Sequence, residues 1–150
     1  MTDETTNGTG AELVERIAEA IKGTLAGHLG CEVLGVSDGE ARGRLRVERK
    51  HLHPGGYVAT GTVCTLAESV AAWATVPLLE PGEGFSTIEF KTNFFTPVHD
   101  GILIAEARAL HRGPRTIVLE SRVVDHESRL VALMLVTQGV IDAPAGATGG

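Results

Sequence analysis

Cysteine is nearly absent from this chain of 150 residues: Cys31 and Cys64 stand alone, far apart and without the spacing of a zinc site or a redox pair. His28, His99, His111 and His126 are spread too widely to suggest metal ligands either, and no metal is expected. Basic clusters are also missing. Thirteen Lys and Arg are scattered among nineteen Asp and Glu, for a net charge of −6. That balance speaks against nucleic acid or an anionic membrane as the main partner. The N-terminus lacks the basic start and apolar run of a signal peptide, and with so few thiols a reducing cytoplasm is the expected compartment. No internal repeat appears, and 43% hydrophobic residues suffice for one domain that buries roughly two thirds of its unfolded surface.

What the chain does have is one long apolar segment with a carboxylate inside it. Ala59 to Leu79 reads ATGTVCTLAESVAAWATVPLL, and Glu68 is its only charged side chain. A helix apolar on nearly all sides belongs in a core or a membrane. The central Glu68, the closing Pro77 and the strand-like stretches that follow argue against a membrane span. An ionised carboxylate buried in a core without a partner costs several kcal/mol, so Glu68 is the first candidate for a functional group. Just upstream, His51-Leu52-His53-Pro54-Gly55-Gly56 and Thr60-Gly61-Thr62 form a glycine-rich turn that presents free backbone N–H groups at the helix start.

The remaining pattern frames this helix. Residues 1–11 and 143–150 have little to bury and are expected as flexible tails, leaving one domain over 12–142. Leu13, Ile17, Ile21 and Leu25 recur at steps of four, predicting an amphipathic helix from Glu12 to His28 that closes near Gly27 and Gly30. Glu32–Val36 and Ala41–Glu48, joined at Ser37-Asp38-Gly39, read as a hairpin. Phe85–Phe95 alternates, with Phe85, Thr87, Glu89, Lys91 and Asn93 on one face and Ser86, Ile88, Phe90, Thr92 and Phe94 on the other. Further strands are expected over Ile102–Leu110, Arg115–Val124 and Leu130–Ile141, separated by Pro97–Gly101, Gly113-Pro114 and Glu127-Ser128. Hairpin, apolar helix, then a strand meander is an α+β plan, an antiparallel sheet wrapped around one helix. Strands apolar on both faces imply that part of the sheet meets a second copy, most simply through a two-fold axis.

His53-Pro54-Gly55-Gly56-Tyr57-Val58-Ala59-Thr60-Gly61-Thr62-Val63-Cys64-Thr65-Leu66-Ala67-Glu68 resembles the motif of hot-dog-fold acyl-CoA thioesterases, in the branch that holds PaaI-like enzymes and glutamate-dependent 4-hydroxybenzoyl-CoA thioesterases. In that branch an Asn or Gln, a glycine three residues on and a His-Gly-Gly triplet precede Leu-Ala-Glu. Here His53 takes the Asn or Gln place, Gly56 the glycine and Ala59-Thr60-Gly61 the triplet. Thr92-Asn93-Phe94-Phe95-Thr96-Pro97-Val98 and Gly113-Pro114-Arg115-Thr116 extend the resemblance over roughly residues 30 to 140. Three positions depart from the pattern: Ala59 replaces the histidine, Thr60 replaces the first glycine, and Ala72 stands where a hydroxyl often follows the acid by one turn.

The resemblance implies thioester hydrolysis, which needs a donor for the carbonyl oxygen and a group that attacks or activates water. It assigns the donor to the N–H of Gly61, the general base or nucleophile to Glu68, and the polar role of the missing amide to His53. Gly56, Thr60, Ser69, Ala72, Trp73 and Asn93 become expected substrate contacts, and His99, Arg112 and Arg115 candidates for the phosphates of coenzyme A. Coenzyme A is then part of the substrate, with no separate cofactor. The active unit implied is a homodimer, often paired into a homotetramer. Each residue also has a structural reading. Glu68 would be a satisfied buried acid paired with Asn93 or a backbone group, His53 a loop cap, Gly61 a close-packing site, His51 a surface loop residue, Trp73 core filler, and the two arginines solvated turn residues. A non-catalytic acyl-CoA-binding module and a hot-dog hydratase or dehydratase using His53 with Glu68 are the alternative functions. Four Phe, one Trp and one Tyr signal no aryl pocket in particular, so aryl and fatty acyl groups stay open, as do carrier-protein thioesters.

Overall fold

A computed structural model describes residues 9–143. The expected tails fall outside the described residues over 1–8 and 144–150. Gly10 and Ala11, by contrast, belong to helix α1 (Gly10–Ala20), because Thr9 and Glu12 form a reciprocal capping box at its start. The long helix expected from Glu12 to His28 is two helices. Gly23 takes a left-handed φ of 73°, which ends the helical path, and α2 (Leu25–Leu29) begins after that turn. Leu13, Val14, Ile17 and Ile21 pack on the core, whereas Leu25 is 65% exposed because the turn takes it off their stripe.

The strands are β1 (Glu32–Ser37), β2 (Glu40–Arg46), β3 (Glu83–Phe94), β4 (Ile102–Arg112), β5 (Thr116–Val124) and β6 (Leu130–Asp142). They form one antiparallel sheet in the order β1-β2-β4-β5-β6-β3. The expected α+β architecture is therefore present, with helix α3 (Thr60–Thr75) lying against β2, β4, β5 and β6. Val63, Leu66, Ala67, Val70, Ala71 and Ala74 of α3 meet Leu45, Leu103, Ala105, Leu119 and Val136 of the sheet, all buried. At Gly43 of β2 the helix comes closest. A Cβ there would stand 2.7 Å from both Val70 and Trp73, so glycine permits the approach. No described helix is long and apolar enough to cross a membrane.

Contrary to the all-round burial that composition suggests, α3 leaves one face uncovered. Gly61 is exposed and Cys64, Thr65, Glu68 and Ala72 are half-buried, positions that lie above one another on a helix. Strand β3 borders this face at Thr87 and Thr92, and there the simple alternation fails. A bulge between Thr87 and Glu89 in its pairing with β6 inserts one residue and exchanges the faces beyond it. Thr87 before the bulge and Phe90, Thr92 and Phe94 after it all adjoin α3 or line the clefts beside it. Sequence alternation alone puts Thr87 and Phe90 on opposite faces.

Candidate active site

The segment between β2 and α3 is built around a buried histidine. His51 is fully buried, not a surface loop residue. Its Nδ1 accepts the Glu48 N–H at 2.8 Å, and its Nε2 lies 2.7 Å from the Leu29 carbonyl. Because Nδ1 accepts, the proton sits on Nε2 and donates to Leu29, so the neutral ring satisfies both contacts. The His51 carbonyl in turn accepts the Ala59 N–H at 2.8 Å and the Thr62 hydroxyl at 3.3 Å. One residue thus ties α2, the loop and the first turn of α3 together.

His53-Pro54-Gly55-Gly56 forms the tight turn of that loop. The Gly56 N–H donates to the His53 carbonyl at 2.9 Å with Gly56 at φ 88°, a conformation that favours glycine. The His53 ring accepts the Gly55 N–H through Nδ1 at 2.9 Å, which is the loop-capping reading, and its Nε2 is not engaged among the described residues. His53 and Thr60 line a cleft of about 290 Å³ with Tyr57, Phe94, Phe95 and Pro97. The Tyr57 ring stands 6.1 Å from that of His53 and 5.8 Å from that of His99, so exposed His99 belongs to the rim of this cleft.

Helix α3 starts without a side-chain cap at Ala59. The Ala59 carbonyl takes the Thr62 N–H at 2.9 Å, and among the described residues the N–H groups of Thr60 and Gly61 find no protein acceptor. A helix N-terminus with free donors suits an oxygen carrying developing negative charge. Gly61 has no atom near the place a Cβ would occupy, so close packing does not account for it.

Glu68 lies seven residues further along α3, about 10 Å by the helical rise. It is half-buried and lines a separate cleft of about 300 Å³ with Leu25, Cys64, Thr65, Ser69 and Phe90. Its partner is Thr87, whose hydroxyl donates to Oε1 at 2.8 Å. Asn93, the partner suggested by sequence, is exposed and accepts from Lys91 Nζ at 2.8 Å. The bulge at Ile88 explains the change, since it sends Asn93 to the face away from Thr87. Among the described residues no basic side chain pairs with Glu68. Ser69 is buried in the same cleft and Ala72 sits half-buried one turn on. Trp73, however, is core: it is 6% exposed and packs over Gly43.

The arginines lie elsewhere. Arg112 donates to the carbonyls of Leu78 and Gly113 and to Glu83 Oε2 at 2.6 Å, which commits its guanidinium to the β3–β4 end of the sheet. Arg115 is exposed in the turn before β5. A larger cleft, about 760 Å³, runs along β1, β2, β4 and β5 and contains no motif residue. Arg42 is paired with Glu106 and Arg108 with Glu120 there, as in a solvated charge ladder. One chain therefore brings Glu68 together with Thr87, Ser69 and Cys64, and gathers His53, Thr60 and His99 around another cleft. The two groups are not joined within a single copy, nor does His53 meet Glu68 as a hydratase pair would require. Sequence reasoning missed Thr87 and His51. The signal for His51 was its place between a strand and a glycine turn, but burial is not visible from that.

The profile of the thioesterase superfamily matches residues 55–132. The 1,4-dihydroxy-2-naphthoyl-CoA hydrolase of Listeria monocytogenes is 30% identical over 112 residues, covering 75% of this chain and 91% of that protein. Among solved structures, a thioesterase from Haemophilus influenzae superposes with a TM-score of 0.83 at 22% identity, over 89% of this chain and 94% of that one. A hypothetical thioesterase from Streptococcus pneumoniae, solved with coenzyme A, superposes with a TM-score of 0.70 at 21% identity, over 75% and 87% of the two chains. The apolar helix inside an antiparallel sheet is thus the hot-dog fold that the motif implied, and the chain belongs to the thioesterase superfamily as a thioester hydrolase.

Proposed function

We propose that this protein hydrolyses acyl-CoA thioesters, aryl or fatty, with Glu68 as general base or nucleophile and the Gly61 N–H as donor to the carbonyl oxygen. The observation that carries this reading is the state of Glu68. It is a half-buried carboxylate in an otherwise apolar helix, it opens on a cleft, and one hydroxyl rather than a cation holds it. A carboxylate present only to stabilise the fold would be expected to have more of its hydrogen-bonding capacity used. The naphthoyl-CoA hydrolase relative and the coenzyme A bound to the pneumococcal neighbour support CoA as the leaving group, to be released as the free thiol.

A complete site takes two copies in this reading. The first-turn N–H groups point away from the helix body, and Thr60 and Glu68 open on different clefts. A second copy against the uncovered face of α3 would set its helix start beside this Glu68. Strand β3 offers the surface: it is a sheet edge paired only with β6 and carries exposed Ile88, Phe90 and Phe94. A homodimer is then the active unit, with pairing into a homotetramer as the further expectation. His53 and Thr60 would orient the thioester, and of the phosphate candidates exposed Arg115 and His99 have no hydrogen-bonding side-chain partner among the described residues. Both thiols are free, in keeping with a reducing cytoplasm.

The test is release of free CoA thiol from benzoyl-, butanoyl-, octanoyl- and palmitoyl-CoA by wild type and by Glu68→Gln. Wild type should turn over at least one of them, and the variant should lose at least a hundredfold in kcat, within the range for removing an acid–base group. Wild-type rates from Glu68→Gln would refute the assignment of Glu68. Silence of the wild type on every CoA ester would refute the CoA substrate.

A further inference from the structure

We propose that Thr87 is the positioning residue of the Glu68 carboxylate, supplying from strand β3 the hydroxyl that α3 itself does not provide. The inference rests on the catalytic reading of Glu68. Its basis is the hydrogen bond from Thr87 Oγ1 to Glu68 Oε1 at 2.8 Å, together with the absence of another donor to that carboxylate among the described residues. None of the helix neighbours of Glu68 donates to it, and Ser69, though it lines the same cleft, makes no hydrogen bond to the carboxylate among the described residues. The Thr65 hydroxyl donates to the Gly61 carbonyl at 2.9 Å, the Cys64 thiol faces Thr92 Oγ1 at 4.0 Å, and Ala72, one turn on, has no polar atom.

Physical reasons make Thr87 suited to this task. A glutamate has three side-chain torsions, and a carboxylate acting on water or on a thioester carbon must keep one oxygen aimed at it. A hydrogen bond to Oε1 fixes the plane of the group and leaves Oε2 free. Threonine is stiff about χ1, and its backbone is held in the β3–β6 ladder opposite Gln138, so its hydroxyl has a fixed direction. The bulge that begins beyond Thr87 lets Phe90 share the α3 side of the strand and close the cleft around the same carboxylate. Thr87 donates a hydrogen bond to Glu68 and so acts through it, not on the substrate.

The experiment compares kcat and KM of wild type, Thr87→Val, Thr87→Ser and Glu68→Gln on whichever acyl-CoA of the panel the wild type hydrolyses fastest. Valine keeps the shape and strand preference of threonine and removes only the hydroxyl. Thr87→Val should lose about tenfold in kcat, the rate equivalent of one hydrogen bond to a charged group, with KM within about twofold. Thr87→Ser should recover most of the loss. Equal losses in the valine and serine variants would assign Thr87 to packing and overturn the proposal. Wild-type kcat in Thr87→Val beside an inactive Glu68→Gln would overturn it too, while leaving the role of Glu68 intact. An active Glu68→Gln would instead remove the reading on which the proposal rests.

Discussion

At the scale of single residues, the acid was legible and its partner was not. Glu68 stands out because a charge within an apolar run demands an explanation, whatever the fold. Thr87 could not be found the same way, since a threonine in a strand is ordinary and its contact with Glu68 depends on the side it faces. Strict alternation does put Thr87 and Asn93 on one face, but the bulge beyond Thr87 separates them. Another residue invisible to sequence reasoning is Asp125, in the turn between β5 and β6. Its carboxylate accepts the N–H groups of Glu127 and Arg129 at 2.9 Å and the Arg129 guanidinium at 2.7 Å. Burial pushes its pKa up, and the hydrogen bonds from Arg129 and Glu127 more than offset that, leaving it below the ordinary carboxylate value. A carboxyl lowered on folding stabilises the fold above its unfolded pKa and loses that contribution as pH falls through the folded one. Asp125→Asn should therefore cost about 1–3 kcal/mol at neutral pH, and the gap from wild type should narrow below about pH 4. Urea titrations at pH 7 and pH 3 check this, a gap independent of pH being the contrary result.

At the scale of elements, periodicity located the strands to within a few residues and the central helix closely, because hydrophobic spacing reports which face is buried. It failed where one residue changes the chain's direction. Steps of four from Leu13 to Leu25 look like one helix, yet Gly23 with its positive φ divides them. The loop from Glu48 to Ala59 was read for its glycines, whereas its anchor is His51, whose burial depends on α2 arriving from a distant part of the chain. His51→Ala would leave the Glu48 N–H and Leu29 carbonyl without their partner and open a cavity beside them. A loss of about 3 kcal/mol follows from an unsatisfied buried pair and the lost packing. Thermal unfolding of His51→Ala against wild type measures it, and an unchanged midpoint would show that the imidazole is not the loop's anchor.

At the scale of the whole molecule, a second copy was suggested in the sequence by strands apolar on both faces and by the resemblance to a dimeric family. The structure holds features that favour the proposed two-copy site. An open face of α3, an unpaired β3 edge and exposed Phe90 and Phe94 lie together, and the donor and the acid of one chain open on separate clefts. What sequence could not supply was this division of the motif, since Gly61 and Glu68 are close along the chain yet lie about two turns apart on a rigid helix. The most direct test is complementation. Glu68→Gln removes the acid, and Gly61→Pro removes the N–H donor in a first turn where that N–H has no helical acceptor to lose, with circular dichroism checking that the variant keeps its helix. Each homodimer should be inactive. Mixed dimers, isolated through two different affinity tags, should recover about half the wild-type rate, because one of their two symmetry-related sites then keeps both groups. Mixed dimers as inactive as the parents would contradict a site built from two copies, and full activity in the Glu68→Gln homodimer would contradict the role of Glu68 itself.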